Sequence, residues 1–523
     1  MKFLLALLCG CAIGALLYFG TYDDLVRDLK IDTPLLHKET GKIAVCASIA
    51  VLFAMIILLI FDGGVAGRRK FTKIKDDKGK VIYNPNLVCK LGNKTWNEDE
   101  FCGHFLITGA SGFGKTVCYG SMLESLLDNI PNMGGVIIDS KGDLLPALKK
   151  LMHLKGRSDD LIIVESKNPA THQDWVPEHY FNPIGDKTMP YSSRGTLMSD
   201  IVSSMFSGND HPFFKQQGPD WFASGLELLD ALAIPITIKN VNDIFTDMDE
   251  MENLVEELEG KNFDNHQEDR ARLIKKLRNG LINLKSDGQR DGIIGSVRNM
   301  LRLFLTPGIQ EVFSSEHIDT FKISDMDKGK IIVFSIAQEF DSERRAIFAM
   351  AKLAAYKHAK RRFDDPDNIK NLNVLGYFFD EMQNYVTASE DGESDHKTID
   401  LLRAAKVSII AGSQSTTSLI SAFGDEKKAK TFFLNCTNAI VFRSADEDCA
   451  KFSADALGKK MKWERTYGSS GGKGSTSRTQ KEKHNVEPFK LRALQKRMCY
   501  IRHVTLGLSK IKMPIAKSLF EKR

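Results

Sequence analysis

Short apolar runs alternate along much of the chain with segments in which apolar residues recur every three or four positions. The short runs lie at 104–108, 136–138, 161–164, 330–336, 374–379, 407–411 and 439–442. Continuous apolar runs of this length are typical of strands buried on both faces, and the longer period is typical of helices. Strands that alternate with helices predict an α/β fold with a parallel sheet covered on both sides.

This alternation stops between residue 184 and about residue 325, where only the helical period remains. The helical segments there are 196–206, 221–233, 242–258, 267–284 and 292–313. We therefore predict an all-helical domain at 185–325, inserted into an α/β domain made of 71–184 and 326–523. A later segment, 467–483, is rich in Gly, Ser, Thr and Lys, which predicts a mobile loop.

The beginning of the chain carries two uncharged apolar runs, at 3–20 and 43–61. Each is close to the roughly 20 residues that a membrane-spanning helix needs. Five basic residues follow the second run, namely Arg68, Arg69, Lys70, Lys73 and Lys75. The positive-inside rule then places everything after 61 in the cytoplasm and the short loop outside. We expect a two-helix anchor at 1–70, although 3–20 also fits a cleaved signal peptide.

The composition of the 523 residues narrows the class of protein. Hydrophobic residues make up 42% and charged residues 27%, which excludes a disordered chain and a transporter with many spans. The net charge of +5 conceals an asymmetry, because 457–523 carries +14 and the remainder −9. A basic end indicates nucleic acid or lipid headgroups as a partner, or else a solvated tail. The nine cysteines have no metal-ligand spacing.

A glycine-rich loop follows the first predicted strand and precedes a helical segment at 117–129. It matches the pattern G-x-x-x-x-G-K-[ST] in the required context of strand, loop and helix. Its backbone N–H groups would bind phosphates, while Lys115 neutralises the β- and γ-phosphates and Thr116 binds Mg²⁺. The alternative is a plain glycine turn. The predicted nucleotide-binding residues are Gly109, Ala110, Ser111, Gly112, Phe113, Gly114, Lys115 and Thr116.

Polar residues end two of the later predicted strands. Asp380 and Glu381 follow 374–379, and Gln414 follows 407–411. We assign Asp380 to Mg²⁺ and Glu381 to orienting and deprotonating the attacking water. Gln414 is a candidate sensor of the γ-phosphate, or a hydrogen-bonded turn residue. A carboxylate pair alone is a weak signal, but together with the glycine loop it indicates nucleotide hydrolysis.

These features together resemble the type IV coupling proteins, the TraG/TraD/TrwB group of conjugation and type IV secretion P-loop ATPases. The resemblance covers nearly the whole chain and rests on the order of its motifs. They are the two apolar runs, the glycine loop, Asp139-x-Lys141-Gly142-Asp143, Phe181-Asn182-Pro183-Ile184, Asp380-Glu381, and the stretch from Gly412 through Gln414 to Phe423-Gly424. The family often has Pro at the position of Ser140 and Glu at that of Asp143.

The resemblance implies a RecA-like motor with an all-helical domain, assembled as a hexameric ring in the bacterial inner membrane. It implies hydrolysis of ATP with Mg²⁺ at subunit interfaces, stimulated by DNA and assisted by an arginine from the neighbouring subunit. Arg403 is the first candidate for that arginine and Arg443 the second. The implied partners are single- or double-stranded DNA without sequence specificity, a relaxase or relaxosome, and the channel proteins of a type IV secretion system.

The implied task is to couple relaxase-bound DNA to a secretion channel and to drive or gate its transfer. Two alternatives stay open from the sequence. One is a docking receptor for protein effectors, and the other is a DNA translocase of the FtsK type. Because 467–483 has no interleaved aromatic residues, we expect any DNA contact there to be made through phosphates and to be sensitive to salt.

Overall fold

The computed structural model describes residues 87–205, 212–261, 267–314, 319–364, 369–389, 392–470 and 473–516. The predicted membrane helices at 3–20 and 43–61, and the basic residues that follow them, lie outside these ranges. No helix within the described ranges is both long and apolar enough to span a membrane.

The described residues form strands and helices in the following order. The strands are β1 (Cys89–Leu91), β2 (Lys94–Trp96), β3 (Phe105–Thr108), β4 (Gly134–Ile138), β5 (Leu161–Ser166), β6 (Ile331–Ile336), β7 (Leu375–Phe379), β8 (Val407–Ser413), β9 (Asn438–Val441), β10 (Lys459–Ser470), β11 (Lys473–His484), β12 (Met498–His503) and β13 (Gly507–Lys512). The α-helices are α1 (Glu98–Phe101), α2 (Lys115–Asn129), α3 (Leu144–Leu154), α4 (Tyr191–Met205), α5 (Pro212–Ala231), α6 (Ile238–Thr246), α7 (Met248–Gly260), α8 (Gln267–Leu277), α9 (Asp287–Leu301), α10 (Gln310–Phe313), α11 (Asp341–Arg361), α12 (Asp395–Leu402), α13 (Thr416–Phe423), α14 (Glu426–Asn435), α15 (Glu447–Ala456) and α16 (Pro488–Arg492).

A nine-stranded sheet organises the α/β part, in the order β13-β12-β9-β3-β8-β7-β4-β6-β5. All seven predicted strands are present as its parallel members, β3 to β9, which confirms the α/β prediction. β12 and β13 add an antiparallel edge that the sequence did not predict. Because parallel strands end at one edge, the residues after β3, β4, β7 and β8 lie close together, with β8 between β3 and β7.

The sheet is buried on both faces, which explains the continuous apolar runs. Side chains of β7 alternate between two hydrophobic cores. Tyr377 and Phe379 pack into the core that includes α11, while Phe378 packs into the core that includes α2. The strands therefore have no polar face, and polar side chains lie at their ends.

Between β5 and β6 the described residues form helices α4 to α10 and no strand. Their buried side chains, including Phe222, Phe245 and Leu277, belong to the same core as α11 and one face of the sheet. Helix α4 packs directly against α11. The predicted boundaries of this helical domain, 185 and 325, stay a prediction because the core is continuous across them.

The mobile loop predicted for 467–483 is wrong. These residues belong to a long antiparallel hairpin, β10–β11, with Lys459 opposite His484 and Ser470 opposite Lys473. Gly471 and Gly472, between the two strands in sequence, lie outside the described residues. The composition of 467–483 was misleading because these residues include only the end of β10, and the pairing becomes apparent with the whole strand from Lys459.

A buried ion pair fixes the chain that follows β7. Lys352 of α11 donates to Asp395 Oδ2 at 2.7 Å and to the carbonyl of Tyr385 at 2.6 Å. The Tyr356 hydroxyl donates to Asp395 Oδ1 at 2.7 Å, and the Thr387 N–H donates to Oδ2 at 2.7 Å. Neither Lys352 nor Asp395 is exposed to solvent. Burial lowers the pKa of Lys352, and Asp395 opposes that shift.

We expect Asp395→Ala to lower the free energy of unfolding of the full chain by about 3–5 kcal/mol, because it leaves Lys352 buried without its anion. The midpoint of urea unfolding would measure this loss. The double variant Lys352→Met/Asp395→Leu should recover much of it, since no buried charge then remains.

An exposed pair provides the control for this measurement. Lys261 and Glu257 lie one helical turn apart at 2.5 Å. Lys261→Ala should cost less than about 1 kcal/mol. Equal unfolding midpoints for Asp395→Ala and Lys261→Ala would contradict the role of the buried pair.

Candidate nucleotide-binding site

The glycine loop lies between β3 and α2 and depends on backbone conformations that favour glycine. Gly109 has φ +155°, Gly112 has φ +79° and Gly114 has φ +124°. A Cβ added at Gly109 would lie 2.5 Å from the Cβ of Phe442, so a side chain does not fit there. Helix α2 begins at Lys115, which directs the first N–H groups of the helix towards the loop. The loop therefore has the form that a phosphate-binding loop requires.

Backbone hydrogen bonds hold this loop from both sides. The Ala110 N–H donates to the carbonyl of Arg443, two residues after β9, at 2.8 Å. The Arg497 N–H, directly before β12, donates to the carbonyl of Phe113 at 2.9 Å. The Arg443 guanidinium also lies over the ring of Phe113, 5.0 Å from its centre. The loop is thus fixed by two segments that are distant from it in sequence.

Asp380 and Glu381 follow β7 and are both buried. Glu381 has a left-handed backbone conformation with φ +49°, which is uncommon for a residue other than glycine and is frequent at functional sites. Its Oε1 accepts a hydrogen bond from Lys141 Nζ at 2.5 Å and lies 3.9 Å from Lys115 Nζ. Its Oε2 accepts from Gln383 Nε2 at 2.7 Å. Lys115 itself donates to the carbonyl of Gly109 at 2.7 Å.

The two carboxylates have different electrostatic environments. Burial and the neighbouring charge of Glu381 raise the pKa of Asp380 to about 7, against the opposing effect of the two lysines. Burial also raises the pKa of Glu381, but hydrogen bonds from Lys141 and Gln383 and the charge of Lys115 lower it further, so the net shift is downward. Glu381 therefore stays ionised at neutral pH. Asp380 is a group whose ionised form a divalent cation would stabilise.

The two lysines shift in opposite directions. Burial lowers the pKa of Lys115, and the charge of Glu381 opposes this. Burial also disfavours the charge of Lys141, but its hydrogen bond to Glu381 and the charges of both carboxylates raise its pKa overall. Both ammonium groups lie beside Glu381 at this edge of the sheet.

Lys141 reaches Glu381 because of a turn after β4. The buried carboxylate of Asp139 accepts from the N–H groups of Gly142 at 3.0 Å and of Leu144 and Leu145 at 3.1 and 2.8 Å. Burial raises the pKa of Asp139, and these hydrogen bonds oppose the shift. Sequence patterns placed Lys141 in a motif but predicted no role in the site for Lys141, Gln383 or Arg497. The adjacency of β4 and β7 is what reveals Lys141.

The remaining predicted residues occupy different parts of the sheet. Gln414 follows β8 and is exposed at the carboxyl edge, between the loop and the carboxylates. Thr116 lies in the first turn of α2. Arg443 lies at the same edge, beside the loop. Ser111 and Gly112 are the exposed tip of the loop.

Arg403 lies elsewhere. It precedes β8, at the amino edge of the sheet, and is exposed. Its charge contributes to the environment of His104, at the start of β3, where burial is the main cause that lowers the pKa of His104 to about 4. Arg403 is therefore at the opposite edge from the glycine loop of its own chain. Which arginine acts on a neighbouring subunit stays a prediction.

No group of three or more His, Cys, Asp or Glu side chains in the described ranges is arranged to hold a metal ion. Thr116 and Asp380, the two residues predicted to bind Mg²⁺, would share the ion with oxygens of the nucleotide and of water. That is the usual coordination of Mg²⁺, which keeps several waters and binds through one or two protein groups.

Comparisons with known proteins find one family model and several solved structures that are similar to the chain. A family model described as "Type IV secretory system Conjugative DNA transfer" matches residues 68–489. No curated protein sequence matches the chain. Among solved structures, the unbound bacterial conjugative coupling protein TrwBdeltaN70 is 16% identical with a TM-score of 0.57, covering 87% of this chain and 95% of that one.

Two further structures are similar. They are the plasmid coupling protein TrwB in complex with ADP and Mg²⁺, and TrwB in complex with the non-hydrolysable ATP analogue ADPNP. Each is 15% identical with a TM-score of 0.56 and covers 87% of this chain and 96% of the TrwB chain. The similarity shows a shared fold over most of the described residues.

We expect Glu381→Gln to lower kcat for ATP hydrolysis by about 10²- to 10⁴-fold, because an amide cannot accept the proton of the attacking water. The affinity for ADP should be retained, since the glycine loop is intact. Steady-state hydrolysis and calorimetric titration with ADP would measure the two effects. Glu426→Gln, an exposed isosteric change on α14, is the matched control. Hydrolysis by Glu381→Gln at the rate of that control would contradict the assignment.

Two alanine variants separate backbone strain from steric overlap in the loop. Gly109→Ala should weaken ADP binding by about 1–3 kcal/mol or more, because it combines an unfavourable φ with a clash against Phe442. Gly112→Ala has an unfavourable φ, but nothing lies within 4 Å of the added Cβ. The loss of ADP affinity in Gly112→Ala should therefore be smaller than that in Gly109→Ala. The same calorimetric titration tests both, and an equal affinity for the two variants would contradict the packing of Phe442 against the loop.

Proposed function

The chain belongs to the family of type IV secretory system proteins for conjugative DNA transfer, and from this we propose that it is a membrane-anchored coupling ATPase with a RecA-like motor. It couples a DNA–protein substrate, relaxase-bound DNA, to a type IV secretion channel and drives or gates its transfer. The observation that carries the proposal is the meeting of the glycine loop with Glu381, whose carboxylate lies 2.5 Å from Lys141 and 3.9 Å from Lys115.

ATP with Mg²⁺ is the proposed substrate and cofactor. The loop N–H groups and Lys115 would bind the phosphates, and Thr116 and Asp380 would hold the ion. Glu381 would take the proton of the attacking water, and Gln414 would lie near the γ-phosphate. Support comes from the TrwB structures, which contain ADP and Mg²⁺ or an ATP analogue. The ion neutralises charge that develops on the transferred phosphoryl group.

Assembly as a homo-hexamer follows from the same proposal. Arg403 is exposed and lies at the edge remote from its own glycine loop, so it can act on a nucleotide only in another copy of the chain. Arg443 already lies over Phe113 of its own loop. These positions favour Arg403 as the arginine supplied by the neighbour. A ring places each site beside the next subunit, as the family implies.

The proposed location is the bacterial inner membrane, with two passes at 3–20 and 43–61 and the bulk of the chain in the cytoplasm. Five basic residues after the second run support this orientation. The channel proteins and the relaxosome are the proposed partners on the two sides of the transfer step.

Stimulation by DNA is part of the proposal. The segment from Arg443 to Arg497 contains α15, the hairpin β10–β11 and α16, and both of its ends are hydrogen-bonded to the glycine loop. The hairpin residues 459–484 carry eight basic and two acidic side chains. A polyanion bound there would act on a segment that is joined to the nucleotide loop at both ends.

We expect the full chain to hydrolyse ATP several-fold faster when single- or double-stranded DNA of arbitrary sequence is added at low salt. Lys115→Ala and Glu381→Gln should abolish both the basal and the stimulated rates. The measurement is phosphate release with and without DNA. Glu426→Gln, which changes a carboxylate outside the site, should show the full stimulation.

The outcome also tests one of the two alternatives, the docking receptor for protein effectors. If the chain binds ATP and protein cargo but its hydrolysis never responds to DNA, the DNA-driven motor is wrong and a receptor for protein effectors takes its place. If hydrolysis is stimulated only by one DNA sequence, the sequence-independent contact is wrong.

A further inference from the structure

Both oxygens of the Glu381 carboxylate, the group assigned to the attacking water, accept hydrogen bonds from the chain itself. Lys141 Nζ donates to Oε1 at 2.5 Å, and Gln383 Nε2 donates to Oε2 at 2.7 Å. The carboxylate is buried, with 2% of its side chain exposed. A general base must offer an oxygen to the proton that it removes. The attacking water must therefore compete with Lys141 or Gln383 for an oxygen of Glu381.

Lys141 is the donor that has room to move. Its side chain is 34% exposed, whereas that of Lys115 is 5% exposed. A lysine also carries its charge on a flexible four-carbon stem. Gln383, by contrast, lies two residues after Glu381 in the same short turn, so its position is tied to that of the carboxylate.

The backbone that carries Lys141 is fixed. The Asp139 carboxylate caps the turn from one side, as described above. On the other side, Gln338 Nε2 donates to the carbonyl of Lys141 at 3.1 Å, and Arg344 Nη1 of α11 donates to the carbonyl of Ser140 at 3.4 Å. Any movement of the ammonium group is therefore confined to the Lys141 side chain.

A second anion is expected within reach of that side chain. Lys115, the residue expected to neutralise the β- and γ-phosphates, lies 3.9 Å from the same Oε1 of Glu381 that Lys141 contacts. Two ammonium groups thus converge on one oxygen, one from the glycine loop and one from the turn after β4. A γ-phosphate bound to Lys115 would lie beside Lys141, and it offers several charged acceptor oxygens for a charge-assisted hydrogen bond.

We propose that Lys141 is a catalytic residue of ATP hydrolysis, which donates to the γ-phosphate when ATP is bound and thereby releases Oε1 of Glu381 to the attacking water. The proposal rests on the proposed function and adds a residue to its site. In the reaction, the water oxygen bonds to the γ-phosphorus, the bond from that phosphorus to the oxygen that leaves with ADP breaks, and the water proton passes to Glu381. Lys141 stabilises the charge on the phosphoryl oxygens.

Calorimetric titration of the full chain with ADP and with ADPNP, each with Mg²⁺, measures this contact because only ADPNP has a γ-phosphate. Lys141→Met should weaken ADPNP binding about 10- to 100-fold, the range for a hydrogen bond to a charged group, and leave ADP binding nearly unchanged. Lys141→Arg keeps a cation and should retain most of the ADPNP affinity. Lys155→Met is the matched control, since Lys155 pairs with Asp128 at the same 2.5 Å at the far end of α2.

The Glu381→Gln background separates contact with the phosphate from an effect through Glu381. The carboxylate that Lys141 holds is absent there, so Lys141→Met leaves no buried anion unpaired and the comparison stands even if Lys141→Met alone folds poorly. Urea unfolding reports the folding of each variant. Direct contact predicts that Lys141→Met weakens ADPNP binding at least as much in this background as in the unchanged chain. If the loss disappears there, Lys141 acts only by holding Glu381 and the proposal is wrong.

The rate of hydrolysis is an independent readout. Lys141→Met should lower kcat about 10²- to 10³-fold, the usual cost of removing a donor to charge that develops in a transition state. A rate above that of the unchanged chain would show that Lys141 only restrains Glu381, and would overturn the proposal.

The results also distinguish failure of this residue from failure of the function. If the unchanged chain binds ADPNP and hydrolyses ATP but Lys141→Met behaves like Lys155→Met, the role of Lys141 is wrong while the proposed function stands. If the unchanged chain binds neither ADP nor ADPNP, the proposed function fails as well.

Discussion

Two carboxylates are buried side by side at the end of β7, where burial and their mutual repulsion disfavour the ionised forms and nearby cations favour them. Lys141 and Lys115 approach Glu381 to 2.5 and 3.9 Å and stabilise its ionised form. Lys141 can do so because β4 is the neighbour of β7 and because Asp139 caps the turn after β4. Lys115 can do so because β8 separates β3 from β7 by one strand. The strand order of the sheet thus determines which charges surround the two carboxylates.

The chain that follows the two carboxylates is also held by hydrogen bonds. The Tyr385 hydroxyl donates to the carbonyl of Asp380 at 2.8 Å, and the carbonyl of Tyr385 accepts from Lys352. Lys352 in turn is held by Asp395, at the start of α12. The chain that leaves Glu381 is therefore fixed by a buried pair before it continues to Arg403. Under the proposed function, this segment connects Glu381, the base of one nucleotide site, with Arg403, the arginine that acts on the site of the neighbouring subunit.

The sequence predicted those parts of the molecule that local patterns encode. The seven parallel strands were predictable because burial on both faces makes each one a continuous apolar run. The glycine loop was predictable because its backbone geometry restricts the residues that fit. The hairpin was not, since its exposed strands carry no apolar period. The pair of Lys141 with Glu381 was not, since the two residues lie 240 positions apart and only the strand order brings them together.

The role of a lysine cannot be predicted from its charge alone, because that role depends on whether the side chain is buried or exposed. Lys352 is a lysine without access to water, and its role follows from the anion, Asp395, that its burial makes necessary. Lys460 and Lys462 are in water, so they need no partner for the chain to fold, and their position opposite other lysines works against the hairpin. The buried pair of Lys352 with Asp395 thus has a structural role.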